Sequence, residues 1–135
     1  MAVQDNALII GKSGCALLCY AKLFGLTYGW ALDHYDDLVK AGAINQADSY
    51  VLDADKILKV ANLPGYVLKA PRNSAKIIEL FESGKVKEGA VRFMIGKEGH
   101  FVVVNKDNYI TFNSLYYSRC VHDGVQEDYI RVWVK

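Results

Sequence analysis

The sequence has no excess of charge of either sign. Its 135 residues include 16 Lys and Arg against 15 Asp and Glu, for a formal net charge of +1. This balance gives no reason to propose nucleic acid as a partner, because nucleic-acid-binding domains are usually basic. A hydrophobic fraction of 52% with 23% charged residues also excludes a disordered chain. We therefore expect residues 1–135 to form one domain with one substantial core.

Long apolar runs and a disulfide framework are also missing. No window approaches the roughly 20 apolar residues that span a bilayer, and the apolar segment 7–10 follows no basic residues, unlike a secretory signal. The three cysteines, Cys15, Cys19 and Cys120, cannot all pair within the chain and suit a reducing compartment. We expect a cytoplasmic protein with no membrane partner, and export without a cleaved signal is the alternative.

Familiar cofactor and metal motifs are absent too. The chain has no Gly-rich phosphate loop, no metalloprotease helix motif and no G-x-S-x-G serine elbow. Cys15 and Cys19 would need two further ligands to hold zinc, and nothing with structural-zinc spacing follows them. We therefore expect no cofactor and no metal, so any chemistry must come from the side chains themselves.

Hydrophobic periodicity divides the chain into a helical half and an extended half. Helices are predicted from the Ser13 cap to Phe24 and at 30–41, 54–62 and 74–82, with a short strand at 66–70. Further strands are predicted at 90–95, 100–104, 109–112 and 129–134, with an irregular loop at 114–128. Helices followed by an antiparallel meander indicate the α+β class, with N-terminal helices packed on a C-terminal antiparallel sheet.

Cys15 lies at the start of an almost wholly apolar helix, two residues after the predicted N-cap Ser13. Unpaired N–H groups and the positive end of the helix dipole favour a thiolate there and lower its pKa. The same N–H groups can stabilise an oxyanion, and Gly14 lets a substrate approach the backbone. The alternative is that Cys15, like Cys19 one turn later, is a small core residue, and position alone favours this alternative.

His100 is the candidate base. A two-residue turn at 106–107 would place His100 directly opposite Asn113, with both side chains on one face of the ribbon. The carboxamide oxygen could then fix the tautomer of the imidazole and leave its other nitrogen to deprotonate a thiol. A turn of three or four residues would shift this pairing. His100 follows Gly99 at the predicted strand start, so its ring is expected at the sheet edge, and His122 is the second candidate.

Three segments, taken in order, resemble the double-glycine-leader peptidases that process bacteriocins, within the papain-like superfamily. Residues 13–19, Ser-Gly-Cys-Ala-Leu-Leu-Cys, resemble that family's Asp-Cys-Gly-Ala-Ala-Cys helix start. Residues 99–104, Gly-His-Phe-Val-Val-Val, resemble its Gly-His-Phe-Val-Val strand, and residues 109–113 lie where it has a strand ending in Asp-Pro.

This resemblance implies a papain-like fold with Cys15 as nucleophile, His100 as base and Asn113 as the residue that orients the base. The family's oxyanion-hole glutamine stands about half a dozen residues before its cysteine. In this chain the upstream glutamine is Gln4, eleven positions before Cys15, and Ala16 replaces a family glycine. Gln4 is the candidate second oxyanion donor.

Two functions are therefore open, besides a purely structural domain in which all three cysteines are core. The first is a small cysteine peptidase or amidase that cleaves a peptide or amide bond through an acyl-enzyme, without a cofactor. The second is a catalytically weak or inactive papain-like fold that binds a peptide or protein partner, with Tyr116 and Tyr117 as candidate contacts.

Overall fold

The computed structural model of the protein describes residue 10 and residues 14–115 and 118–135. The helices with described bounds are α1 Cys15–Leu23, α2 Tyr28–Asp33, α3 Tyr35–Ala41, α4 Ala54–Val60, α5 Ala75–Glu82 and α6 Arg119–Asp123. The strands are β1 Tyr66–Pro71, β2 Glu88–Ile95, β3 Glu98–Asn105, β4 Ile110–Phe112, β5 Val125–Gln126 and β6 Tyr129–Val134. This mixture of helices with an antiparallel sheet confirms the predicted α+β class.

The strands form one antiparallel sheet in the order β1-β6-β2-β3-β4, and β5 pairs with the end of β2. β2 and β3 pair along their whole length, from Glu88 opposite Asn105 to Ile95 opposite Glu98. β4 is much shorter and pairs with β3 only at Val103 and Val104. The first half of β3 is therefore not covered by β4, and this uncovered edge faces the candidate site.

Helices cover both faces of the sheet. α1 packs on one face, where Cys19 lies against Val103 of β3. α5 packs on the other face, where Ile77 lies in a cluster with Val102. Successive strand residues point to opposite faces, so β3 is apolar from 101 to 104 because both of its faces are covered.

The start of α1 differs from the prediction by one residue. Gly14, not Ser13, is the N-cap, and it provides no side-chain hydrogen bond. Ser13 itself lies outside the described residues. The first intrahelical bond runs from the Leu18 N–H to the Gly14 carbonyl at 2.9 Å, so the N–H groups of residues 15–17 precede it. Cys15 is thus the first residue of the helix.

Two further predictions were too coarse. The predicted helix 30–41 is two helices separated at His34, whose φ of −107° and ψ of 11° are not helical. The His34 ring stacks on Trp30 at 4.5 Å and its Nδ1 lies 2.9 Å from the Trp30 carbonyl, which fixes the break. The predicted irregular loop 114–128 contains α6, capped by Ser118, and β5.

Within the described residues, no helix has the length and apolar character needed to cross a membrane.

Candidate active site

Cys15 is half-buried at the point where α1 meets β3. Burial disfavours a thiolate and by itself would raise the pKa of Cys15. The His100 side chain and the backbone N–H groups of Phe101 and Ala16 hydrogen-bond the sulfur, and the positive imidazolium attracts it. These interactions outweigh burial, so the pKa of Cys15 lies below its ordinary value. The surroundings of the sulfur therefore favour its anionic form.

The Phe101 N–H is available to the sulfur because β4 is short. β4 pairs with β3 only at Val103 and Val104, so it leaves the backbone of Phe101 uncovered on that side. Such an edge amide normally needs another acceptor, and here the acceptor is the Cys15 sulfur. A strand edge and a helix start thus both direct N–H groups at one sulfur.

His100 lies inside β3 rather than at its start, and its side chain is only 4% exposed. β3 begins at Glu98, two residues before the predicted start, and α6 packs on the sheet there, so His100 is buried although β4 does not cover this part of β3. Its Nε2 lies 2.7 Å from Oδ1 of Asn113. The same Oδ1 accepts the backbone N–H of Leu115 at 3.1 Å.

This second hydrogen bond decides the tautomer of His100. The Leu115 N–H can only donate, so the Asn113 atom that it contacts is the carbonyl oxygen and not the amide nitrogen. The Nε2 of His100 must therefore carry a proton and donate it to that oxygen. Its Nδ1 is left to exchange a proton with Cys15.

The pKa of His100 is set by opposing effects. Burial lowers it, but the hydrogen bonds with Cys15 and Asn113 and the negative charge of the thiolate raise it above its ordinary value. A raised pKa for the imidazole and a lowered pKa for the thiol both favour the thiolate–imidazolium ion pair. The two groups have the mutual perturbation expected of a nucleophile with its base.

Asn113 reaches His100 by a route that the sequence prediction had wrong. The turn after Asn105 has three residues, not two: the Asn105 N–H bonds the Tyr109 carbonyl at 3.0 Å, and Asn108 adopts a left-handed φ of 66°. A bulge then shifts the register again, between Ile110 opposite Val104 and Phe112 opposite Val103. Two shifts of one residue return Asn113 to the face of His100, as its diagonal rather than direct neighbour.

The other histidines and cysteines lie elsewhere or are bound differently. His122 is exposed on α6, 2.7 Å from the Asp123 carboxylate, and it does not line the cleft that contains Cys15. Cys19 is fully buried and its pKa is raised by burial, as expected of a core thiol. Cys120 is buried beside the same cleft as Cys15, and all three cysteines are free thiols.

A cleft of about 510 Å³ opens over Cys15 and His100. Its other lining residues include Leu18, Tyr50, Arg92, Ser114, Ser118 and Cys120. A neighbouring cavity of about 440 Å³ also has Leu18 and Ser114 in its wall and reaches Asn113. A larger cavity of about 670 Å³ lies between α5 and the β3–β4 turn, and its lining includes none of Cys15, His100 and Asn113. Cys15 and His100 therefore line the 510 Å³ cleft and not the 670 Å³ cavity.

One backbone N–H beside the sulfur is placed so that it could stabilise an oxyanion. The Cys15 N–H lies at the start of α1 and has no hydrogen-bond partner among the described residues. Gln4, Tyr116 and Tyr117, which the sequence suggested as further contacts, lie outside the described residues. The absence of a side chain at Gly14 is explained by packing, because a Cβ there would fall 2.5 Å from the Ile10 carbonyl oxygen.

Sequence reasoning did not find three features of the site. These are the Phe101 N–H, the Leu115 N–H and the Arg92 side chain in the cleft wall. The two amides are backbone groups, whose position depends on strand register and carries no residue-type signal.

No protein family profile, no curated protein and no solved structure matches the chain.

Proposed function

We propose that this chain is a small cysteine hydrolase that cleaves a peptide or amide bond. Cys15 is the nucleophile, His100 the general base and acid, and Asn113 the residue that orients the imidazole. One observation carries the proposal: Cys15 and His100 line one cleft and each shifts the pKa of the other, and His100 Nε2 lies 2.7 Å from Asn113 Oδ1. A core thiol needs neither a histidine nor two backbone N–H donors, and the pKa of Cys19 on the same helix is raised rather than lowered.

The reaction divides into two steps with balanced proton transfer. The Cys15 thiolate attacks the carbonyl carbon, and the negative oxygen of the tetrahedral intermediate can accept the Cys15 N–H. The C–N bond then breaks, and the Nδ1 proton of His100 passes to the departing amine. In the second step the neutral Nδ1 takes a proton from water, hydroxide attacks the thioester, and the acid product leaves with the thiolate restored.

A papain-like architecture belongs to the same proposal. A helix that begins at the nucleophile is followed in the chain by an antiparallel sheet in which β3 carries the base, and the orienting amide comes directly after the adjacent strand β4. This order agrees with the resemblance of residues 13–19 and 99–104 to bacteriocin-processing peptidases. The cleft of about 510 Å³ and the neighbouring cavity of about 440 Å³ share Leu18 and Ser114, and together they leave room for a peptide substrate.

The test uses peptides, because the physiological substrate is unknown. The protein is incubated with a peptide library made by digesting a whole proteome, and new termini are identified by mass spectrometry. We expect cleavage by the wild type and none by Cys15→Ala, with His122→Phe, an exposed residue outside the cleft lining, as a control that keeps activity. Equal new termini with wild type and Cys15→Ala would refute the hydrolase. Binding of library peptides by both proteins, without cleavage, would support the non-catalytic binding module instead.

A further inference from the structure

The charged side chains of the cleft are unequally compensated. Three of them line it, namely Arg92, Glu98 and Arg119. Arg119 Nη1 lies 3.7 Å from Glu98 Oε2, so these two charges offset each other. The Arg92 guanidinium has neither an ion-pair nor a hydrogen-bond partner among the described residues. Within the part of the chain that the structure describes, the Arg92 charge in the cleft lining is therefore not offset by an acidic partner.

Arg92 lies close to the reacting groups. It is directly opposite Phe101, whose N–H contacts the Cys15 sulfur, in the β2–β3 pairing. Its guanidinium lies over Gly99, the residue before His100, and a Cβ at Gly99 would overlap the Nε and Nη2 atoms of Arg92. A side chain at position 99 would therefore displace the guanidinium from this place, an effect that the sequence did not reveal.

A second arginine beside the same ring, Arg131, has an acidic partner, in contrast to Arg92. The guanidinium carbon of Arg131 lies 4.8 Å from the Phe101 ring centroid, and that of Arg92 lies 5.8 Å from it. Arg131 is paired with Glu127 at 2.9 Å and is not among the residues that line the cleft. Arg92 is half-buried against an apolar ring, where a guanidinium attracts a carboxylate more strongly than in open water.

We infer that Arg92 is the carboxylate-binding group of this cleft, so that the substrate presents a carboxylate close to the bond that is cleaved. The inference rests on the hydrolase function proposed above and specifies its substrate class. The carboxylate could belong to an Asp or Glu side chain or to the C-terminus of the substrate, because a guanidinium binds both through the same paired hydrogen bonds.

The first test needs no substrate. Cys15 is alkylated in parallel with iodoacetate, which is anionic, and iodoacetamide, which is neutral, and the ratio of the two rates is measured by mass spectrometry of the Cys15 peptide. We expect Arg92→Gln to lower this ratio about two- to fivefold, the effect of one charge pair near a surface. Arg92→Lys should keep most of the ratio, and 1 M salt should remove the difference because it shortens the Debye length to about 3 Å.

The paired charges provide a matched control. The double variant Glu98→Gln/Arg119→Gln removes one charge of each sign, so the net charge of the cleft and the ratio should both persist. A ratio that is the same in wild type and Arg92→Gln, with Cys15 still rapidly alkylated, would overturn the inference and leave the hydrolase proposal intact. Slow alkylation of Cys15 by both reagents would instead refute the hydrolase proposal together with this inference.

A second measurement separates the two carboxylate sources. Library peptides cleaved by the wild type are resynthesised with Gln for each Glu, and with amidated C-termini in place of free acids. A selective loss of kcat/KM with the Gln peptides identifies an acidic side chain, and a loss with the amidated peptides identifies a terminal carboxylate. Arg92→Gln should abolish whichever preference the wild type has, and a preference that survives in this variant would contradict the inference.

Discussion

The most informative perturbation is the replacement of His100 by Phe, which keeps a ring of similar shape but removes its hydrogen bonds. A hydrogen bond to a charged group contributes about 1.5–3 kcal/mol, and about 1.4 kcal/mol corresponds to a factor of ten in an ionisation equilibrium. The fraction of Cys15 present as thiolate at neutral pH should therefore fall roughly 10- to 100-fold. Burial then dominates, and the pKa of Cys15 rises because only the Phe101 and Ala16 N–H groups still oppose it.

The alkylation rate should change less than the thiolate fraction does. A thiolate of higher pKa is a better nucleophile, with a Brønsted coefficient of about 0.4–0.5, so about half of the loss on a logarithmic scale is recovered. Alkylation by iodoacetamide at neutral pH should thus slow by roughly three- to tenfold in His100→Phe. At alkaline pH, where both proteins are fully ionised, the variant should react faster than the wild type by a similar factor.

The assay is the second-order rate of Cys15 alkylation from pH 4 to pH 11, quantified on the Cys15 peptide. The two profiles should cross, with the wild-type midpoint at lower pH. His122→Phe is the matched control, since that imidazole is exposed and lies outside the cleft, and its profile should coincide with the wild type. Profiles of wild type and His100→Phe that superimpose would refute the thiolate–imidazolium pair.

Three further predictions follow from the same contacts. Asn113→Asp should keep most of kcat/KM, because a carboxylate also accepts the Nε2–H of His100, whereas Asn113→Ala should lower it roughly tenfold or more; equal losses would contradict an orienting role. Cys15→Ala should move the NMR titration midpoint of the His100 imidazole to lower pH, because burial remains while the contributions of the thiolate are lost; a rise would contradict the pairing. Cys19→Ser should lower the free energy of unfolding by about 1–3 kcal/mol in urea titrations, because it places a hydroxyl in an apolar cluster; unchanged stability would mean that this thiol is not in a dry core.

Features that depend on local pattern were predictable from the sequence. The cap of α4 is an example, since Asp53 was expected there and its carboxylate accepts the Asp55 N–H at 3.0 Å. The last strand was also predicted with its observed bounds, 129–134, because its alternating apolar residues have the period of a strand. Both signals lie within a few residues of the feature that they determine.

Features that depend on particular side-chain contacts or on strand register were not predictable in the same way. The break at His34 needs the stacking of its ring on Trp30, which a helical periodicity does not register. The register of β4 depends on a left-handed Asn108 and on a bulge, and neither has an unambiguous sequence signal. The predicted contact between His100 and Asn113 occurs, but the predicted register does not. The two register shifts bring the residues together in a way that the sequence did not indicate.

The two register shifts of the β3–β4 hairpin have a consequence for how this segment can vary in length. Each inserted or deleted residue reverses the face on which Asn113 lies, and a second change of the same size restores it. The constraint on the hairpin is therefore one of parity rather than of length. Lengthening the turn by one residue should separate Asn113 from His100, whereas the same insertion combined with removal of the bulged residue should bring them together again. Chains of this type are expected to accept compensated pairs of changes between 105 and 113 and to reject single ones.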